Sequence, residues 1–203
     1  MHQKCLQNGI VAKKEDIRAL LLILDKEGVA ARRSRRLKRR EYSVKGPNYL
    51  WHLDSYDKLK PYGICINGCI DGFSRKIIWM KAYSTSSDPK IIGGYFVEAI
   101  KDFGGCPRIV RADRGTENTI VAEIQRYIRR NGADPLAGDK SFLLGRSVCN
   151  QRIEAWWSIL RKEFTDFWLT LFRSLKDEGN FDGHFIDTNL SVFCFLGLIQ
   201  VID

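Results

Sequence analysis

The chain has 203 residues, a formal net charge of +9, 44% hydrophobic residues and 11% aromatic residues. This composition excludes collagen-like and broadly disordered proteins, and the length predicts one main domain with a small extension. No apolar segment reaches the ~20 residues that cross a bilayer, so we expect no membrane partner. No hydrophobic leader precedes the first charges, which predicts a reducing compartment. The cysteines and histidines lack zinc-site spacing.

The positive charge is concentrated near the start of the chain. Residues 1–50 hold 13 Lys and Arg against 5 Asp and Glu, whereas residues 51–203 hold 20 against 19. Such a basic segment suits contact with phosphates and release of their counterions. A solvated linker and a nuclear localisation signal are alternative interpretations, and we expect a nuclear protein. The predicted DNA-contacting residues of this basic arm are Arg32, Arg33, Arg35, Arg36, Lys38, Arg39 and Arg40.

The segment before the basic arm predicts a short helical unit. KKEDIRALLLILDKEG places Ile17, Leu20, Leu21 and Leu24 at helical spacing, and Gly28 is the predicted stop. QNGIVA has the composition of a tight turn, so the segment resembles the second half of a helix-turn-helix. A structural helical hairpin is an equal alternative. Residues 1–44 are therefore predicted to be a partial helix-turn-helix-like segment and the basic arm.

The rest of the chain alternates between strand and helix patterns. NYLWHLD, YGICINGCID and KIIWMKAY predict three antiparallel strands, and PKIIGGYFVEAIKDFGG predicts a helix. PRIVRAD, TIVAEIQRYIRRNG and SFLLG then predict a strand, a helix and an edge strand, before a long helix. This order predicts an α/β fold of the ribonuclease H-like type, with a mixed five-stranded sheet flanked by helices.

Three acids stand out among these elements. Asp54 and Asp113 end strand-like segments, and Glu154 lies in the long helix. Carboxylates brought together repel one another unless a cation lies between them, and Mg²⁺ prefers oxygen ligands. Phosphodiester chemistry uses two such ions. The three acids are therefore the candidate metal-binding and catalytic residues.

The apolar stripe predicted for the long helix consists of Ile153, Trp157, Leu160, Phe164 and Phe167. Only one of the adjacent tryptophans 156 and 157 can face fully inward. Glu154 falls beside this stripe, where its alternative role is that of an ordinary surface acid.

Four other acids are assigned mainly structural roles. Asp57 is predicted to shape the loop that follows the first strand, and Asp71 begins the DGFSR turn. Glu117 is expected to cap the next helix or to approach a metal from outside. Glu98 has lysines nearby in the sequence, which indicates a solvent-facing position.

Four segments carry a resemblance to a known family. WHLD, CIDGFSRKIIW, VRADRGTEN and NQRIEAWW resemble the integrase catalytic core of retroviruses, retrotransposons and related transposons, and more narrowly the animal genes derived from such elements. The resemblance covers residues 45–200, so residues 45–203 are predicted to be a catalytic core with C-terminal helices. It places the family's three acids on Asp54, Asp113 and Glu154, with a longer loop before Glu154 than is usual in the family.

The resemblance also implies a chemistry and its partners. It implies two Mg²⁺ or Mn²⁺ ions, DNA rather than a small molecule as substrate, a homo-oligomer, and DNA contacts from Asn150 and Arg161 near the site. An ordinary solvated arginine is the alternative for Arg161. Two functions follow: an integrase-type DNA strand transferase, or a transposon-derived nucleic-acid-binding protein without catalysis. The presence of Asp54, Asp113 and Glu154 favours the first, and the lack of a recognisable zinc-binding module and DNA-binding tail favours the second.

Overall fold

A computed structural model of the chain describes residues 1–34, 42–145 and 150–200. The chain divides into two compact units, Met1–Tyr42 and Ser43–Asp203. None of the helices in these described ranges is long and apolar enough to cross a membrane.

The first unit consists of short helices. They are α1 (His2–Gln7), α2 (Lys14–Leu24) and α3 (Lys26–Ser34). The predicted stop at Gly28 is wrong, because α2 ends at Leu24 and Gly28 lies inside α3. The Asp25 carboxylate accepts a hydrogen bond from the Gly28 backbone N–H at 2.9 Å, which caps the new helix.

The residues of the predicted apolar stripe lie in α2, as their helical spacing indicates, but the stripe is only partly buried. Ile17 is buried, but Leu20 and Leu24 are 54% and 79% exposed. This unit therefore buries little of its own apolar surface.

The second unit is built on a five-stranded mixed sheet. Its strands are β1 (Leu50–Tyr56), β2 (Cys65–Asp71), β3 (Ile77–Tyr83), β4 (Ile109–Ala112) and β5 (Phe142–Leu144). The spatial order is β3-β2-β1-β4-β5, so β1 is the central strand. β1, β2 and β3 pair antiparallel, whereas β4 pairs parallel with both β1 and β5. The predicted ribonuclease H-like fold is confirmed.

Helices cover the sheet in two layers. α4 (Pro89–Phe103) and α5 (Thr119–Ile128) pack on one face, where Trp51, Leu53 and Phe96 are fully buried. α6 (Gln151–Leu160), α7 (Asp166–Asp177) and α8 (Phe185–Ile199) pack on the other, around Ile66 and Phe172. Side chains alternate across a strand, so β1 directs Trp51 and Leu53 towards α4 and directs His52 and Asp54 towards the face covered by α6.

The predicted long helix is interrupted. Residues 161–165 between α6 and α7 form a π-helical turn. At this turn the Thr165 hydroxyl donates a hydrogen bond to the carbonyl of Leu160, the last residue of α6. The wider turn rotates the following residues about the helix axis. Trp168 is therefore buried, whereas Phe167, placed in the stripe by regular α-helical spacing, is 65% exposed. Of the two adjacent tryptophans, Trp157 is buried and Trp156 is half-buried.

Candidate functional site

The sheet brings two of the predicted acids to the same edge. In the parallel pairing of β1 with β4, His52 lies opposite Arg111. Asp54 lies two residues further along β1, and Asp113 directly follows β4, which ends at Ala112. The two carboxyls are close enough for the charge of Asp113 to raise the pKa of Asp54. Neighbouring parallel strands therefore present these two carboxylates at their carboxyl ends.

Helix α6 covers Asp54 from one face of the sheet. The indole Nε1 of Trp157 donates a hydrogen bond to Asp54 Oδ2 at 2.8 Å. Trp157 reaches Asp54 by passing over Gly68, which is the β2 partner of Asp54. A Cβ atom on Gly68 would lie 2.8 Å from Trp157 Cη2, closer than packed carbon atoms come. Glycine at this position thus permits the close approach of helix and sheet.

Glu154 precedes Trp157 by one helical turn and shares a cleft with Asp54. The cleft has a volume of about 420 Å³. Its lining also includes Arg161, from the π-helical turn, and Asp57, from the loop after β1. The structure thus brings Asp54, Glu154 and Arg161 together around one opening.

The electrostatics of the cleft are unfavourable for isolated carboxylates. Burial raises the pKa of Asp54 from 3.8 to about 7, and the negative charges of Glu154 and Asp113 contribute in the same direction, against hydrogen bonds from Trp157 and the Ser55 backbone. Burial also raises the pKa of Glu117, with a further contribution from Asp113. Asp54 therefore keeps its proton to a higher pH than an exposed aspartate does.

Asp113 is held by its own loop. Its Oδ1 accepts hydrogen bonds from the Gly115 backbone N–H and from Asn118 Nδ2, both at 3.1 Å. In the described ranges, no three His, Cys, Asp or Glu side chains converge into a ready-made metal site. The donor set nevertheless fits a hard divalent cation, since it consists of carboxylates whose mutual repulsion such an ion relieves.

The structure disagrees with the DNA contact predicted for Asn150. This residue is only 1% exposed. Its Nδ2 donates to the Leu53 carbonyl at 2.7 Å, and its Oδ1 lies 2.5 Å from His52 Nδ1. Both ends of the amide are thus engaged inside the protein, where DNA has no access.

Arg161 has the exposure that a DNA contact requires. Its side chain is half-exposed, and its Nε donates to Asp166 Oδ1 at 3.2 Å. The DNA contact of Arg161 stays a prediction. For the basic arm, Arg35, Arg36, Lys38, Arg39 and Arg40 lie outside the described residues, as do the side chains of Arg32 and Arg33.

The remaining acids take the structural positions expected of them. Asp57 accepts a hydrogen bond from Lys60 Nζ at 3.0 Å in its loop. Asp71 is buried at the β2–β3 turn, where it accepts from Asn48 N, Ser74 N and Ser74 Oγ. Glu98 is exposed and pairs with Lys81.

Three residues of the site escaped sequence reasoning: His52, Gly68 and the indole nitrogen of Trp157. His52 is completely buried, and burial lowers its pKa to about 4 despite the hydrogen bond with Asn150, so the imidazole is neutral at physiological pH. The alternation in WHLD already placed His52 on the same face as Asp54. The role of Gly68 depends on Trp157, 89 positions away in the chain, and no local pattern indicates it.

Comparison with known proteins agrees with this geometry. A family model described as "integrase core domain" matches residues 41–200, which include β1 to β5 and α4 to α8. No curated protein gives a significant match to the chain. The match spans most of the chain and all three predicted acids, and we conclude that the protein belongs to the integrase core domain family.

Proposed function

We propose that the protein cleaves and joins DNA strands as an integrase-type polynucleotidyl transferase that uses two Mg²⁺ or Mn²⁺ ions. The observation that carries this proposal is the cleft that a half-buried Asp54 lines together with Glu154, where the charge of Asp113 also acts on Asp54. Carboxylates from the central strand, from the end of its parallel neighbour and from a covering helix form a donor set suited to these ions.

Each residue of the cleft has a distinct task in this proposal. Asp54, Asp113 and Glu154 would hold the ions, which when bound supply activation of the attacking oxygen and stabilisation of the leaving oxygen. Trp157 fixes the orientation of the Asp54 carboxylate through its Nε1. Asp54 would release its proton on binding a cation, because a carboxyl group must be ionised to act as a metal ligand. Arg161, at the rim of the cleft, would contact a DNA phosphate.

Removal of one acid provides the direct test. Asp113→Asn and Glu154→Gln should each abolish Mg²⁺-dependent nicking and joining of labelled DNA, while DNA affinity remains largely unchanged. The matched control is Glu98→Gln, because Glu98 is an exposed acid on α4 that pairs with Lys81 and does not line the cleft. Loss of DNA binding together with activity would contradict the separation of the two roles.

A DNA-binding role without catalysis is the second candidate. It is favoured by the absence, within the described ranges, of three acids already converging on one point. Under this alternative the wild-type protein would bind DNA but show no Mg²⁺-dependent cleavage over a broad panel of substrates, and Asp113→Asn would change nothing.

We further propose a nuclear location and a homo-oligomer. The basic arm supports the first, and a fluorescent fusion with the arm neutralised tests it. Helix α8 supports the second, since Ile186, Leu190 and Phe193 form an exposed apolar stripe on its outer face, with Phe193 87% exposed. Phe193→Glu should therefore lower the sedimenting mass in analytical ultracentrifugation. Phe167→Glu, on the exposed side of α7, should not.

A further inference from the structure

The N-terminus of α6 is joined to β1 through one buried side chain, that of Asn150. Asn150 Nδ2 donates to the Leu53 carbonyl at 2.7 Å. Because the amide nitrogen faces that carbonyl, Oδ1 is the acceptor at the other end, so His52 Nδ1 carries the hydrogen and donates to it at 2.5 Å. His52 and Asn150 are 0% and 1% exposed, respectively.

Both ends of this connection lie next to acids of the cleft. The Leu53 carbonyl carbon is bonded to the nitrogen of Asp54, and His52 lies on the same face of β1 as Asp54. On the helix side, the Asn150 carbonyl accepts a hydrogen bond from the Glu154 backbone N–H at 3.2 Å. One residue therefore bridges the backbone around Asp54 to the backbone of Glu154.

This bridge opposes a force that acts within the cleft. Asp54 and Glu154 line the same cleft, so whenever both are ionised their repulsion favours withdrawal of the first turn of α6 from β1. Trp157 holds the helix one turn beyond Glu154 through its bond to Asp54. Asn150 holds it one turn before Glu154, and Glu154 is thus restrained from both sides.

We propose that His52 and Asn150 are positioning residues: their buried hydrogen bonds hold Glu154 beside Asp54, so that both carboxylates can bind one divalent cation. This inference rests on the proposed metal-dependent function. Neither residue contacts the metal or DNA, and each acts through the placement of α6.

The test uses the full-length chain and two measurements. Tb³⁺, a hard cation whose luminescence is excited through nearby tryptophan, is titrated into wild type, His52→Ala and Asn150→Ala. Hydrogen exchange of the α6 amides is measured without metal on the same variants. Residues that orient metal ligands typically change metal affinity 10- to 100-fold, so we expect Tb³⁺ binding weakened by about 10-fold or more and faster exchange in α6.

Two further variants separate positioning from general stability. Gln125→Ala is the matched control, because Gln125 is a fully buried amide on α5 that donates to the Pro107 carbonyl at 2.9 Å. Its loss should leave Tb³⁺ affinity and α6 exchange unchanged. His52→Asn places an amide N–H where the imidazole Nδ1–H stood, and it should recover part of the lost Tb³⁺ affinity.

The outcomes distinguish the positioning role from the proposed function. Unchanged α6 exchange in Asn150→Ala overturns the positioning role, and so does faster exchange with unchanged Tb³⁺ affinity. If Tb³⁺ fails to bind even the wild type, the metal-dependent function fails and the inference, which depends on it, falls too. Weaker Tb³⁺ binding together with faster exchange supports the inference even if no DNA substrate is cleaved.

Discussion

Replacement of Asp54 by asparagine should stabilise the protein at neutral and alkaline pH. Burial, followed by the charges of Glu154 and Asp113, raises the pKa of this carboxyl from 3.8 to about 7. Between these two values the folded state binds the Asp54 proton more tightly than the unfolded state does. The contribution of Asp54 to stability is therefore complete below pH 3.8 and is lost as the pH rises through about 7. Asparagine is never charged and escapes this loss.

The size of the stability gain in Asp54→Asn follows from the pKa shift of Asp54. One pKa unit corresponds to about 1.4 kcal/mol, so a shift of about three units sets a ceiling of about 4 kcal/mol above pH 7. Relaxation and water penetration reduce such energies, and we expect a measured gain of about 1–3 kcal/mol at pH 8. Asparagine retains an oxygen that can accept the Trp157 Nε1–H bond, so little packing is lost.

Urea unfolding in EDTA at pH 4, 6 and 8 measures this gain. The control is Asp71→Asn: Asp71 is 1% exposed, but its carboxylate accepts hydrogen bonds from Asn48 and Ser74. That variant should lose about 1–3 kcal/mol, because a bonded buried acceptor is replaced by a group that cannot satisfy all of the donors. An Asp54→Asn variant that is less stable than wild type at pH 8, or equally altered at all three pH values, would refute the reasoning.

Magnesium should reverse the order of stability of wild type and Asp54→Asn. A ligand that binds only the folded state raises its stability with ligand concentration. Mg²⁺ at pH 8 should therefore stabilise wild type and leave Asp54→Asn nearly unaffected. Equal stabilisation of both would show that Asp54 is not a ligand.

Two other changes test the frame of the site and the basic arm. Gly68→Ala places a Cβ atom 2.8 Å from Trp157 Cη2. This variant should therefore lose about 1–3 kcal/mol of unfolding free energy in chemical denaturation, and it should bind metal more weakly. Gly94→Ala on α4 is the control and should not destabilise the protein, because a Cβ atom there meets nothing within 4 Å. Neutralising the seven basic residues of the arm should weaken binding to all DNA sequences and reduce the log–log salt slope by about 0.9 for each DNA phosphate that the arm no longer neutralises. An unchanged salt slope would show that the basic arm is a localisation signal or a linker and does not contact DNA.

The sheet and its two acids could be predicted because the signals for them are local. Alternating apolar residues predict β1 to β3, and WHLD places Asp54 near the carboxyl end of β1, two residues before the strand ends at Tyr56. The parallel pairing of β1 with β4 then brings the segment that carries Asp113, just past the end of β4, next to β1. The hydrophobic periodicity and the order of the elements along the chain were sufficient to predict this part of the site.

The errors occurred where a distant or irregular contact decides the structure. Regular α-helical spacing predicts Phe167 in the buried stripe because it takes no account of the π-helical turn before it. Gly28 has the local features of a helix stop, but it lies inside a new helix that begins at Lys26 and is capped by Asp25. The family resemblance implies a DNA contact for Asn150, but its amide is bonded to β1, about 100 positions away in the chain.

Two aspartates of this sheet, the buried Asp71 and the half-buried Asp54, lie in opposite electrostatic environments. Asp71, at the end of β2, is surrounded by three hydrogen-bond donors, which compensate the burial of its charge. Asp54, on the neighbouring strand, accepts bonds from Trp157 and the Ser55 backbone but faces the charges of Glu154 and Asp113. The fold alone gains nothing from that crowding, since an apolar or amide side chain would cost less at the same position. A divalent cation would supply the missing positive charge, and the contrast between the two aspartates therefore favours the proposed metal binding over the non-catalytic alternative.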